Sequence, residues 1–132
     1  MKKLLTITAI IEAATGLGLL AAPAVLARLL LGGTLETPAA LTVARVGGTA
    51  LLAISVACWL SREHGRGLVA AMLLYHVFVA GLLVHAALGL SLSGPGLWPT
   101  VVLHLAFAFW CRACLRSKRA GMTAEISPRK TI

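Results

Sequence analysis

The sequence predicts an all-α integral membrane protein, a bundle of four transmembrane helices with a short interfacial helix after the first and both termini in the cytoplasm. Three observations carry that prediction. Of 132 residues, 59% are hydrophobic and 12% charged, against roughly half and a quarter in soluble domains. The apolar residues, which raise the mean hydropathy to +0.93, fall into four runs, each long enough to cross a bilayer. The third observation is where the charge lies. Twelve Lys and Arg stand against four acids, all Glu. Ten of the twelve (Lys2, Lys3, Arg62, Arg66, Arg112, Arg116, Lys118, Arg119, Arg129 and Lys130) fall on one side of a four-span chain, the bias that retains loops in the cytoplasm. In a soluble protein the same excess would suggest nucleic acid; here anionic lipid headgroups account for it.

Residues 4–22 form the first span, about 28 Å of helix. Met-Lys-Lys, an apolar stretch and Ala21-Ala22-Pro23 imitate a cleavable signal peptide, but Glu12 in the apolar stretch argues against one. Pro23 suits the first turn of a second, short helix, and Gly32-Gly33 supplies its stop. Arg28 on that helix can snorkel while its leucines dip below, the pattern of an interfacial segment. The second span is read over residues 39–60, ending near Trp59, and the third over 68–92, followed by the turn signal Ser93-Gly94-Pro95-Gly96. The fourth covers 97–115, with Trp98 and Trp110 about 18 Å apart, one for each interface. Residues 1–115 thus make the transmembrane domain and 116–132 a basic cytoplasmic tail.

Charges inside spans cost on the order of 3 kcal/mol each, so Glu12 and Arg45 are expected to compensate each other. Arg stays charged and offers five donors, which suits a buried carboxylate. Thr8, Thr15 and Gly16 share a face with Glu12, and Arg45 begins a stripe through Thr49, Ala53 and Ala57 with Gly48 alongside, the pattern of a packed helix interface. Two polar layers are expected: His76 level with Glu12, and His104 level with Arg45. His85 faces away from His76 and lies between Gly81 and Gly89, a candidate helix-packing face. Hydrogen-bonded histidine is the ordinary reading, with proton relay the functional one. No metal or cofactor is expected; haem on two histidines, a metal at Glu12, His76 and His104, and quinone are the minor alternatives.

Cys111-Arg112-Ala113-Cys114 has redox spacing. Both thiols close a helix, however, where the dipole disfavours thiolate. The expected compartment is reducing, and no second pair completes a zinc site. Inert thiols lead, with redox chemistry and palmitoylation behind. Cys58 is read as packing.

The runs Glu12-Ala-Ala-Thr-Gly-Leu-Gly-Leu-Leu, Pro23, Leu29-Leu-Leu-Gly, Arg45-Val-Gly-Gly, Ala57-Cys-Trp-Leu, Leu74-Tyr75, Leu97-Trp-Pro, His104 and Trp110-Cys111 resemble a family of small bacterial four-helix integral membrane proteins, with an architectural likeness to the DoxX-like group. The resemblance covers residues 7–115 and implies topology rather than an activity. It also implies that Asn is commoner at the place of His76, which weighs against an obligatory ligand there.

With no nucleotide loop, nucleophile elbow or complete metal set, the leading expectation is a non-catalytic subunit or scaffold in the inner membrane, with a Glu12–Arg45–His76–His104 polar core. It would be a homo-oligomer or part of a larger complex. A proton-coupled carrier or channel is the second reading. A thiol- or quinone-linked oxidoreductase using Cys111 and Cys114 is the third.

Overall fold

The computed structural model describes residues 1–125, with side chains through Ser117. Its elements are five helices: α1 (Lys2–Ala21), α2 (Pro23–Leu31), α3 (Pro38–Leu60), α4 (Arg66–Gly89) and α5 (Leu97–Glu125). Four are long and apolar enough to cross a membrane: α1, α3, α4 and the Leu97–Ser117 portion of α5. Helix α5 continues past the expected span end into the basic segment; residues 126–132 of that segment lie outside the described residues.

Local chemistry sets the boundaries. Pro23 at the start of α2 cannot continue the hydrogen-bond ladder of α1, and the chain breaks at Ala22 with φ −141° and ψ 61°. Helix α2 stops at Gly32, whose φ of 74° is left-handed, a conformation glycine adopts without a Cβ clash. Thr37 caps α3 by accepting a hydrogen bond from the Ala40 amide at 3.1 Å, with Pro38 behind it at the first helical position. Helix α4 ends three residues before the expected Leu92. Its closing turn lies at Gly89 and Leu90, and Ser91 takes a positive φ of 55°.

The helices pack as two antiparallel pairs, α1 with α3 and α4 with α5. One register runs the length of the first pair. Lys2 meets Glu63, the Ser55 hydroxyl donates to the Ala9 carbonyl, Gly16 meets Gly48, and Arg45 donates to the Leu20 carbonyl. At the Gly16–Gly48 crossing a Cβ on either residue would sit 2.7 Å from the other's carbonyl oxygen. Only glycine permits this approach, as small residues do at membrane helix interfaces.

The two pairs join at the end of the bundle that holds Met1, the α3–α4 turn and the exit of α5, here called the near end. Leu4, Leu5 and Ala9 of α1, Cys58 of α3, Val69 and Met72 of α4, and Phe107 and Cys111 of α5 form one buried cluster there. At the far end α2 lies between the pairs and contacts α1, α3 and α5. Pro23 and Ala27 are buried, and the Gly96 amide donates to the Leu29 carbonyl at 2.8 Å. Gly94 passes so close to Leu29 and Leu30 that a Cβ would lie 2.4 Å from their backbones. The segment after α4 is therefore drawn along α2 instead of turning tightly.

Candidate functional site

A cavity of about 530 Å³ occupies the space between the pairs, from mid-depth to α2. Its upper wall is leucine from α1, α2 and α4: Leu19, Leu26, Leu29, Leu30 and Leu83. Its lower wall is polar and aromatic, with Thr8 and Glu12 of α1, Tyr75 and His76 of α4, and His104 and Phe107 of α5. Ala14, Leu29 and Leu103 on its boundary are exposed, so the cavity reaches the surface of the bundle.

Glu12 is buried, and its carboxylate accepts a hydrogen bond from the Tyr75 hydroxyl at 3.1 Å. Glu12 stands ten residues into α1 and Tyr75 nine into α4, both helices rising from the near end, so the two lie about level. Tyr75 is the residue that sequence reasoning missed. The signal was present: this is the sole tyrosine of the chain, it sits inside an apolar span, and a buried phenol seeks a partner for its hydroxyl.

Arg45 lies outside this group, contrary to the expected pairing with Glu12. It is exposed, and its Nε donates to the Leu20 carbonyl at 3.4 Å. The α1–α3 register explains why. Arg45 lies opposite Leu20, eight residues or about 12 Å farther along α1 than Glu12, where the last carbonyls of α1 offer acceptors suited to a cation. Among the described residues no ion pair joins Arg45 to Glu12.

The expected two polar layers are also one. His76 and His104 meet through their Nδ1 atoms at 2.9 Å. Placing these residues level puts Leu97 beside residue 83, so α5 begins about 9 Å below the end of α4. That offset is produced by the segment drawn along α2, and counting residues from span ends could not reveal it. The Tyr75 ring lies edge-on to both imidazoles, with centroids 5.1 and 5.8 Å away. Phe107 stacks on His76, and Trp110 on Phe107.

In the histidine pair one Nδ1 carries the proton and donates, and the other accepts. Whichever way this falls, Nε2 of His76 is buried and has no hydrogen-bond partner among the described residues. The same holds for the Thr8 hydroxyl, although Thr15, Thr42 and Thr49 each bond the carbonyl of the preceding turn. Leaving such a buried group unbonded costs about 1–3 kcal/mol. Both residues line the cavity.

The remaining candidates lie elsewhere. Gly81 is exposed, and nothing approaches within 4 Å of the Cβ position there. His85 is exposed, and its ring covers Gly89, where a Cβ would lie 2.8 Å from the imidazole. Cys58 and Cys111 are buried at the near end, Cys114 is half-buried, and all three are free thiols. Among the described residues, no three His, Cys, Asp or Glu side chains gather to hold a metal ion.

Compared with known proteins, the chain matches no family model, no curated protein and no solved structure.

Proposed function

We propose that this is a non-catalytic membrane protein that binds, and passes on, a small lipid-soluble molecule with an apolar body and a hydrogen-bonding head. The observation that carries the proposal is one cavity with two kinds of wall, leucine toward α2 and Thr8, Glu12, Tyr75, His76 and His104 toward mid-depth. Its size suits a small-molecule site, since such sites are mostly apolar with a few placed polar groups. A head seated at the lower wall would meet Tyr75 and His104, which are half-buried there, and an uncharged ring compound of quinone size suits the volume and the aromatic lining.

This reading departs from a purely structural scaffold, for which the polar side chains would need only to satisfy one another. Proton-coupled carriage is the second reading; the Glu12–Tyr75 and His76–His104 contacts favour it because they place titratable groups along the ligand's path. Thiol chemistry is less favoured, with Cys111 fully buried. The placement of basic residues favours the near end in the cytoplasm of a bacterial cell, and the resemblance to small four-helix membrane proteins agrees with it.

A diazirine-bearing short-chain ubiquinone analogue, photolysed with the full chain in nanodiscs, tests the binding. Label is expected on peptides carrying Glu12, Tyr75 and His104, falling at least severalfold in Val79→Trp, which fills the cavity, and unchanged in His85→Ala. Label spread over lipid-facing residues such as Phe109, and indifferent to Val79→Trp, would overturn the proposal.

A further inference from the structure

Near-end cations differ in what they meet. Lys2 pairs with Glu63 at 2.7 Å. Arg62 lies over the Trp59 ring, 4.3 Å from its centroid, and donates to the Trp59 carbonyl. Arg66, Arg112 and Arg116 are different. They line a separate groove of about 510 Å³ between α4 and α5, with Ala70, Leu73 and Leu115 as its apolar wall. No salt bridge among the described residues engages them.

Their place along the helices gives the groove its chemistry. Arg66 is the first residue of α4, and Arg112 and Arg116 close the apolar part of α5, so all three lie where a span meets the membrane surface, with hydrocarbon depth beside them. A guanidinium presents a planar fork to phosphate oxygens. Three of them from two helices line one groove, a concentration of positive charge complementary to a phosphate, while the apolar wall is complementary to an acyl chain. Gly67 adds access: no atom lies within 4 Å of where its Cβ would be.

We propose that this α4–α5 groove is a specific site for one anionic phospholipid, its phosphate held by Arg66, Arg112 and Arg116 and one acyl chain lying against Leu73 and Leu115. The site is separate from the cavity between the helix pairs and does not depend on what that cavity binds. Basic pockets between transmembrane helices take anionic headgroups in this way. Free phosphate shares the headgroup's charge but has no use for the apolar wall, so the lipid is the occupant the groove selects.

The full chain in non-ionic detergent is titrated with phosphatidylglycerol, phosphatidylcholine or inorganic phosphate, and bound molecules are counted by native mass spectrometry. One tightly retained phosphatidylglycerol per chain is expected. Arg66→Gln or Arg112→Gln should weaken its retention about fivefold, and the two together about 25-fold, whereas Lys3→Gln, with the same loss of charge, leaves it unchanged. These arginines lie outside the buried core, and an unaltered helical circular-dichroism spectrum for each variant shows that lost binding is not lost folding. Equal weakening by Lys3→Gln would reveal diffuse attraction to a basic surface. Equal retention of phosphatidylcholine would reveal an apolar groove alone, and displacement of the lipid by inorganic phosphate a small-anion site. Any of the three overturns the proposal.

Discussion

The near and far halves of the bundle are built from the same helices and packed on different terms. In the near half, side chains from α1, α3, α4 and α5 share one cluster, with Leu5, Val69, Cys58 and Cys111 wholly buried. In the far half the helices part into pairs. There Gly16 and Gly48 hold α1 against α3, while α2 is inserted between the pairs and its leucines face a cavity. Helices in lipid gain little from hiding apolar surface, so what holds them is close fit and polar contact. A half without close fit between its pairs is one in which something else can be accommodated. Close packing between the pairs is thus concentrated at one end of this molecule and open volume between them at the other.

That division predicts its own largest effect. Leu5 is fully buried in the near cluster, so Leu5→Ala should cost about 2–5 kcal/mol. Leu83 already borders empty space, and Leu83→Ala should cost less than about 1 kcal/mol, because few contacts are lost with it. Reversible unfolding in mild detergent compares them. Equal costs would mean that the far half is as tightly packed as the near half. A third variant sharpens the contrast: Gly48→Leu drives a side chain into the Gly16 carbonyl, 2.7 Å from the Cβ position, and should be at least as damaging as Leu5→Ala although it lies in the looser half.

Between these extremes lies the polar wall. Glu12→Leu removes the acceptor of the Tyr75 hydroxyl and leaves that donor without its partner, at a cost of about 1–3 kcal/mol. Glu12→Gln keeps an oxygen that can accept the same bond and should recover most of that loss. Stability of the two variants, with Tyr75→Phe as the reciprocal change, checks the assignment. If Glu12→Leu and Tyr75→Phe are additive in combination, the hydrogen bond is not what orders the wall. Arg45→Leu serves as the control: with Arg45 exposed and distant from Glu12 in register, its effect should simply add to that of Glu12→Leu.

How much of this was legible from residues follows from which distances are local. Spacing within one chain segment gave the four long apolar helices, the break at Pro23 and the stop at Gly32, because proline and glycine act on their own backbone. It also put small residues at Gly16 and Gly48. The site required distances between segments. Depth counted from span ends puts Arg45 within reach of Glu12, because such a count does not reveal that α3 meets α1 with Arg45 opposite Leu20, about 12 Å beyond Glu12. The same count sets His76 and His104 in separate layers, since residue spacing does not indicate that the chain after Gly89 follows α2 and starts α5 lower. The cavity was invisible because it results from how two pairs diverge. Tyr75 was within reach, as a lone phenol beside a histidine in an apolar span.

The smallest expected effect concerns whether charge adds anything to the near half beyond its packing. The Lys2 ammonium, hydrogen-bonded to Glu63, with Arg62 also nearby, holds the Glu63 carboxyl below its usual range. A carboxyl with a lower folded value binds fewer protons folded than unfolded, so stability rises with pH across that interval. The contribution is present at neutral pH and is lost as pH falls below the ordinary carboxylate range and through the folded value. The pair is exposed and screened by salt, so the effect should be slight: in low salt, the parent loses marginally more thermal stability than Glu63→Gln between pH 7 and pH 3, and the difference disappears at high salt. Parallel acid profiles for parent and Glu63→Gln in low salt would mean that the α3–α4 turn is held to the N-terminus by Leu4 and Leu5 alone. A larger difference than that from Glu12→Leu would instead move part of the near end's stability from packing to charge, and the contrast between the two halves would have to be redrawn.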